Sequence, residues 1–135
     1  MSLLTTLPTT IVDPEKIAWK GEATQVVFGI SDGLVGILPG HADAVFALAP
    51  EIAHITTVDG TEKKLFLSGG VARVSKGELT IVADSAESPE QIDIQRAEKA
   101  KERAEHRLSQ AHREIDYERA RFALMRSLHR LEIAK

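Results

Sequence analysis

Between residues 7 and 82, apolar positions alternate or cluster in short runs, each closed by residues that favour turns. Residues 7–12 are apolar and β-branched and end at Asp13-Pro14. Thr24, Val26, Phe28 and Ile30 alternate with Gln25, Val27 and Gly29, the two-residue period of a strand with one well-buried face. Ser31-Asp32-Gly33 then punctuates the chain, and residues 36–41 form a short apolar run closed by Pro39 and Gly40. Residues 52–58 and 64–68 flank Asp59-Gly60, a pair suited to the positive φ angles of a tight hairpin turn. Residues 71–75 and 79–82 flank Lys76-Gly77 in the same manner. Strands at roughly ten-residue spacing, with almost no helical period, predict an antiparallel β-sandwich or flattened barrel over residues 1–87.

The period changes at residue 88. From there to residue 135 the chain has no glycine, and Pro89 is its only proline. Ser88 as a cap, Pro89 at the first helical position and Gln91 completing a capping box predict a helix start. Ile92, Ala97, Ala100, Ala104 and Leu108 give this helix a modest apolar stripe, and a turn is expected near residues 109–112. A second helix is predicted over residues 113–133. Its broader stripe is Tyr117, Ala120, Leu124, Leu128 and Leu131, widened by Ile115, Phe122 and Met125. The two helices pair as an antiparallel hairpin, a second domain spanning residues 88–135. An alanine stripe buries little area, so the hairpin is lightly held; fully extended, the segment reaches about 70 Å at ~1.5 Å per residue.

Charge sharpens this boundary. Residues 1–88 carry 6 Lys/Arg against 11 Asp/Glu, whereas residues 89–135 carry 11 against 9. The whole chain, 135 residues with a net charge of −3, is long enough for one ordinary domain plus an appendage, and its charge argues against general nucleic-acid affinity. The absence of cysteine excludes a disulfide framework, a thiolate metal site and a cysteine nucleophile. No apolar run approaches the roughly 20 residues of a membrane span, and the first residues lack the pattern of a signal or transit peptide. The chain is therefore expected to stay in the compartment where it is made.

Catalytic chemistry is not evident. Ser68-Gly69-Gly70 lacks the lysine and the strand–loop–helix setting of a phosphate loop and reads as a tight bend between strands. His41 and His54 stand on different segments with no second ligand at metal spacing. No paired carboxylates, Ser/His/Asp set or HExxH motif is present.

The arginines of the tail are more informative. Arg96, Arg103 and Arg107 step by seven and four residues, and Arg119, Arg126 and Arg130 repeat those steps, so each set keeps to one face of a helix. Two readings follow. Either the columns form a solvated face with Glu98, Glu102, Glu105, Asp116 and Glu118 as partners, or an anion sits between them, where guanidinium forks suit phosphate.

Lys20-Gly21-Glu22-Ala23, residues 33–41, residues 67–71 and residues 80–84 resemble, in order and spacing, the successive landmarks of the epsilon subunit of bacterial F-type ATP synthases. The string Gly36-Ile37-Leu38-Pro39-Gly40-His41 is the most specific of them. The resemblance implies a non-catalytic rotor subunit of a machine that makes ATP from ADP and phosphate with a proton gradient. It would be peripheral at the cytoplasmic face of the plasma membrane, without direct membrane insertion. Its partners would be the gamma subunit and the ring of c subunits, met by the sandwich through Leu34, Val35, Gly36, Pro39, Gly40 and His41. Where the family usually has an acidic residue, this chain has Leu34, which implies an apolar contact. The tail would exist folded beside the sandwich or extended into the alpha/beta catalytic head, where it inhibits ATP hydrolysis.

Ile92-Asp93-Ile94-Gln95-Arg96-Ala97 is similar to the Ile/Leu-Asp-x-x-Arg-Ala motif through which some bacterial epsilon subunits bind ATP. The family's further contacts fall on Glu87, Arg103, Arg126 and Arg130. Glu87 and Asp93 would accept from the adenine or ribose side, and the arginines would hold the phosphates. No cofactor is required on this view, and ATP enters as a regulator. The alternative is a free-standing ATP-sensing module outside the synthase.

Overall fold

The computed structural model describes residues 5–134. Nine strands come first: β1 (Leu7–Val12), β2 (Ile17–Ile30), β3 (Gly33–Ile37), β4 (Ala44–Leu48), β5 (Glu51–Thr57), β6 (Glu62–Leu67), β7 (Gly70–Ser75), β8 (Glu78–Ala83) and β9 (Ala86–Glu87). A 3-10 turn at Pro89–Gln91 leads to helices α1 (Ile94–Ser109) and α2 (Glu114–Ile133). Among the described residues no helix is long and apolar enough to cross a membrane.

The strands run in the order β4-β7-β8-β1-β2-β5-β6-β9, with β3 also on β2. The long β2 serves both layers of the sandwich. Its first half pairs with β1, from Leu7↔Ala23 to Val12↔Ile17, and its second half pairs with β3 and β5. The β2–β5 register shifts between Ala23 and Gln25, the kind of irregularity that bends a strand and lets one sheet fold onto itself. Leu7, Ile11, Val26, Phe28, Ile55 and Ile81 fill the space between the layers, each at most 1% exposed. Phe28 on β2 meets Phe46 on β4 edge to face, with ring centroids 5.5 Å apart.

The predicted sandwich is present, with differences that have local causes. β2 begins at Ile17 rather than near Thr24, and β3 occupies Gly33–Ile37, so that Leu38 to His41 form the turn after it. β4 was not anticipated, because Ala44-Val45-Phe46-Ala47-Leu48 is apolar on both faces and shows no alternation. β1 lies parallel to β8, from Thr9↔Leu79 to Val12↔Val82, while the other strand pairs among the described residues are antiparallel. The β7–β8 turn follows its residues directly: Lys76 and Gly77 have φ of 51° and 78°, as a two-residue hairpin turn requires. At Gly70 a side chain is excluded, because an added Cβ would lie 2.1 Å from the Val82 carbonyl oxygen.

Asp13 joins the β1–β2 turn to β9. Its carboxylate accepts from the N–H groups of Glu15 (2.9 Å), Lys16 (3.0 Å) and Ala86 (3.2 Å), and from Lys16 Nζ (2.7 Å). The lysine bond first, then the backbone donors, hold this carboxyl well down, at about 2. A depressed carboxyl contributes stability above its unfolded value, near 4, and loses it as pH falls toward 2. Asp13→Ala is expected to cost about 1–3 kcal/mol at pH 7. In urea unfolding followed at pH 7, 4 and 2.5, the gap between wild type and variant should be narrowest at the lowest pH.

The helical tail departs further from expectation. The capping box at Ser88 forms, its N–H donating to Gln91 Oε1 at 2.9 Å, but it encloses only the 3-10 turn. Ile92 then adopts an extended conformation and packs against Ile52, Phe66 and Ile133. α1 starts afresh at Ile94, capped by Asp93, whose Oδ1 accepts from the Arg96 N–H at 3.0 Å. On α2 only Ala120 of the predicted stripe is fully buried: Leu124 and Leu131 are half-buried, Tyr117 and Leu128 are 47% and 43% exposed, and the other buried residues are Ser127 and Ile133. Small side chains are buried on both helices, Ala97 and Ala104 on α1 and Ala120 and Ser127 on α2. They let the helices pack closely while little apolar area is buried.

Candidate functional site

The choice of small residues for the helix contact puts the arginine columns at its edge, facing one another. Between α1, α2 and the end of the sandwich lies a cleft of about 520 Å³. Arg96, Arg103 and Arg107 reach it from α1, and Arg126 and Arg130 from α2. Ala97, Ala100 and Ala123 form part of its wall, and Glu87 and Asp93 are the two carboxylates that line it. Arg119, the remaining member of the columns, lines a neighbouring cleft of about 890 Å³ that shares Arg107 and Arg126 with the first.

The charge pattern there is lopsided. Arg130 donates to Glu87 Oε1 from both Nε (3.0 Å) and Nη2 (2.8 Å), and its guanidinium lies 4.9 Å from the centre of the Phe66 ring. None of the other four cleft arginines has an ion-pair partner among the described residues. The acidic residues expected to screen the columns are engaged elsewhere or make no such pair: Asp116 holds Arg113 at 3.0 Å and Glu118 holds Arg121 at 3.7 Å. Burial, and then the charge of Arg130, pull the Arg126 guanidinium below its usual value, with Asp84 opposing. Five guanidiniums against two carboxylates leave an excess of positive charge that an anion would neutralise.

Of the eight predicted nucleotide-site residues, the cleft gathers Glu87, Asp93, Arg96, Ala97, Arg103, Arg126 and Arg130. Ile92 is outside its lining, in the apolar contact with the sandwich. Two further points bear on the expected roles. One oxygen of Asp93 is occupied in capping α1, and Glu87 is already bound to Arg130, so neither carboxylate stands wholly free for a ligand. Sequence reasoning also left out Arg107, Ser85, Gln91 and Ser127 from the site, although Arg107 was signalled by its place in the first column.

The second predicted group lies on β3 and the turn after it. Leu34 is 65% exposed, Gly36 and Gly40 are exposed, and Val35, Pro39 and His41 are half-buried. His41 Nδ1 lies 2.6 Å from the Ala42 carbonyl oxygen, and its ring meets Phe46 edge-on. Leu38, 54% exposed, extends the apolar surface of this group.

Against known proteins, residues 6–89 match the beta-sandwich domain of the ATP synthase delta/epsilon chain, and residues 90–135 match the long alpha-helix domain of the same chain. An ATP synthase epsilon chain of Clostridium novyi is 46% identical over 99 residues, covering 73% of this chain and 76% of its own length. That of Clostridium acetobutylicum is 42% identical over 98 residues, covering 73% and 74%. Among solved structures, a chain of the Euglena gracilis mitochondrial ATP synthase, described as OSCP/F1/c-ring, superposes with a TM-score of 0.81 at 26% identity, over 99% of this chain and 84% of the other. A chain from the central stalk and c-ring of the Tetrahymena thermophila enzyme shares the fold at a TM-score of 0.55 and 13% identity, over 64% and 69%.

Proposed function

The chain belongs to the epsilon-subunit family of the F-type ATP synthases, as a non-catalytic subunit of that complex, and on that premise we propose that its inter-helical cleft binds ATP and thereby biases the tail toward the folded hairpin. The observation that carries this reading is the convergence of five guanidiniums, four of them without an ion-pair partner among the described residues, on one cleft between the two helices. Phosphate oxygens are well matched to such forks. The cleft is lined by α1, α2 and the segment from Ser85 to Gln91, so it exists as a unit only while the hairpin is docked. A ligand held there at a hundredfold its Kd stabilises the docked form by about 2.7 kcal/mol, enough to move a lightly held hairpin.

The sandwich supplies attachment. It couples the gamma shaft to the c-ring, with exposed Leu34 and Leu38 supporting an apolar rather than a polar contact to the ring. When undocked, the tail reaches into the alpha/beta head and inhibits ATP hydrolysis, the freed arginines meeting acidic surface there. The complex places the subunit at the cytoplasmic face of the plasma membrane as a peripheral protein. Titration of the isolated protein with Mg-free ATP, read by a distance probe between α2 and the sandwich, tests the sensing role. Saturable compaction at millimolar ATP or below is expected. An unchanged distance there removes that role while leaving the coupling role standing.

A further inference from the structure

α2 is tied to the sandwich over its last two turns, and the tie has an apolar centre with a polar arm on either side. The centre is Phe66 on β6, fully buried against Ile52, Ile92 and Ile133. One arm is Arg130 with Glu87, which belongs to the cleft already described. The other arm lies outside the cleft. His129 Nδ1 is 3.4 Å from Glu51 Oε1 on β5 and 3.7 Å from Glu132 Oε2 on α2 itself, and the imidazole lies 6.5 Å from the Phe66 ring.

This nitrogen is sealed from water, yet among the described residues no group stands in hydrogen-bonding geometry to it. Buried polar atoms without partners are rare enough to need an explanation. Both groups facing it are carboxylates, which only accept when ionised, so Nδ1 must carry the hydrogen for the contact to be attractive. Glu51 is placed in advance by the sandwich. Its Oε1 accepts from the Ile52 N–H at 3.0 Å, and its stem lies against Gly29, where an added Cβ would come within 2.6 Å of it. The glycine thus makes room for the Glu51 stem, and His129 meets that carboxylate only when α2 docks.

We propose that His129 and Glu51 form a catch that works without nucleotide and sets how often α2 leaves the sandwich. Because the pair is outside the cleft, it fixes the starting point from which any ligand of the cleft acts. A charge-assisted contact of this kind is expected to change the opening constant about tenfold.

Amide hydrogen exchange of the full chain without nucleotide provides the test. His129→Ala is expected to speed exchange along α2 by about tenfold. Glu51→Gln, which keeps the shape and removes the charge, should also speed it. The double variant should exchange no faster than the faster single one, because both remove the same contact. Amides of β7 and β8 serve as the internal reference and should be unchanged. If Glu51→Gln leaves α2 at the wild-type rate, His129 is only a filler beside Phe66 and the catch is wrong; multiplying effects in the double variant overturn it as well. No arm of the experiment uses ATP, so its failure is separate from any failure of the nucleotide site.

Discussion

Phe66→Ala is expected to release the tail while the sandwich stays folded. Phe66 is fully buried, but its neighbours are Ile52, Ile92 and Ile133 together with Arg130 and His129, not the residues that fill the space between the two layers. Emptying such a site costs about 3–5 kcal/mol, which is ~10²–10⁴ in the docking constant at about 1.4 kcal/mol per decade. The contact between the helices offers little reserve against that loss, since its buried residues are alanines and a serine. The α2 amides should therefore exchange at rates close to those of an unrestrained helix, with β7 and β8 at wild-type rates and the unfolding midpoint of the sandwich within error of the wild type. In the assembled synthase the same variant should hydrolyse ATP more slowly if, as proposed above, the undocked tail is the inhibitory one. Unfolding of the sandwich together with the tail would show that the two domains share one core, contrary to this division.

That division was legible in the sequence to the extent that local chemistry enforces it. Lys76-Gly77 declares its turn because few residues tolerate the left-handed backbone; at Asp59-Gly60 only Gly60 adopts it, and the turn is a longer loop between Thr57 and Glu62. The change of period at Ser88 declares the tail. What stayed hidden depends on partners distant along the chain. The parallel pairing of β1 with β8 joins residues about seventy positions apart and leaves no local mark. The helix start moved from Pro89 to Ile94 because Ile92 gains more from Phe66 and Ile133 than from continuing a helix, and Asp93 supplies a second cap. On α2 the apolar stripe included Ala120 among larger residues and passed over Ser127, although close approach of two helices favours the small face. The cleft divides the same way. The arginine columns follow from helical spacing alone, whereas the pairing of Glu87 with Arg130, 43 residues apart, needs the hairpin docked. His129 carried no signal at all, since its meaning lies in Glu51 on another strand.

Arg103→Ala and Arg126→Ala are each expected to weaken ATP binding about 10–100-fold, the loss of a charge-assisted contact worth roughly 1.5–3 kcal/mol. They approach the cleft from different helices, so a phosphate chain between them would feel both. Their effects in the double variant should fall short of the product, because the ligand shifts once either anchor is gone. Arg121→Ala is the matched control, a guanidinium on α2 that holds Glu118 and does not line the cleft. Raising salt should reduce affinity in the wild type more than in the double variant, since fewer charges then remain to be screened. A merely structural role for these arginines predicts something different: α2 exchange without nucleotide would accelerate in step with the loss of affinity. The anion site predicts that nucleotide-free exchange stays near wild type, or slows for Arg126→Ala as its repulsion with Arg130 is relieved. Wild-type affinity in both single variants, with unchanged inhibition in the assembled enzyme, would reduce the columns to solvated charge and return the hairpin's set point to Phe66 and its two flanking arms.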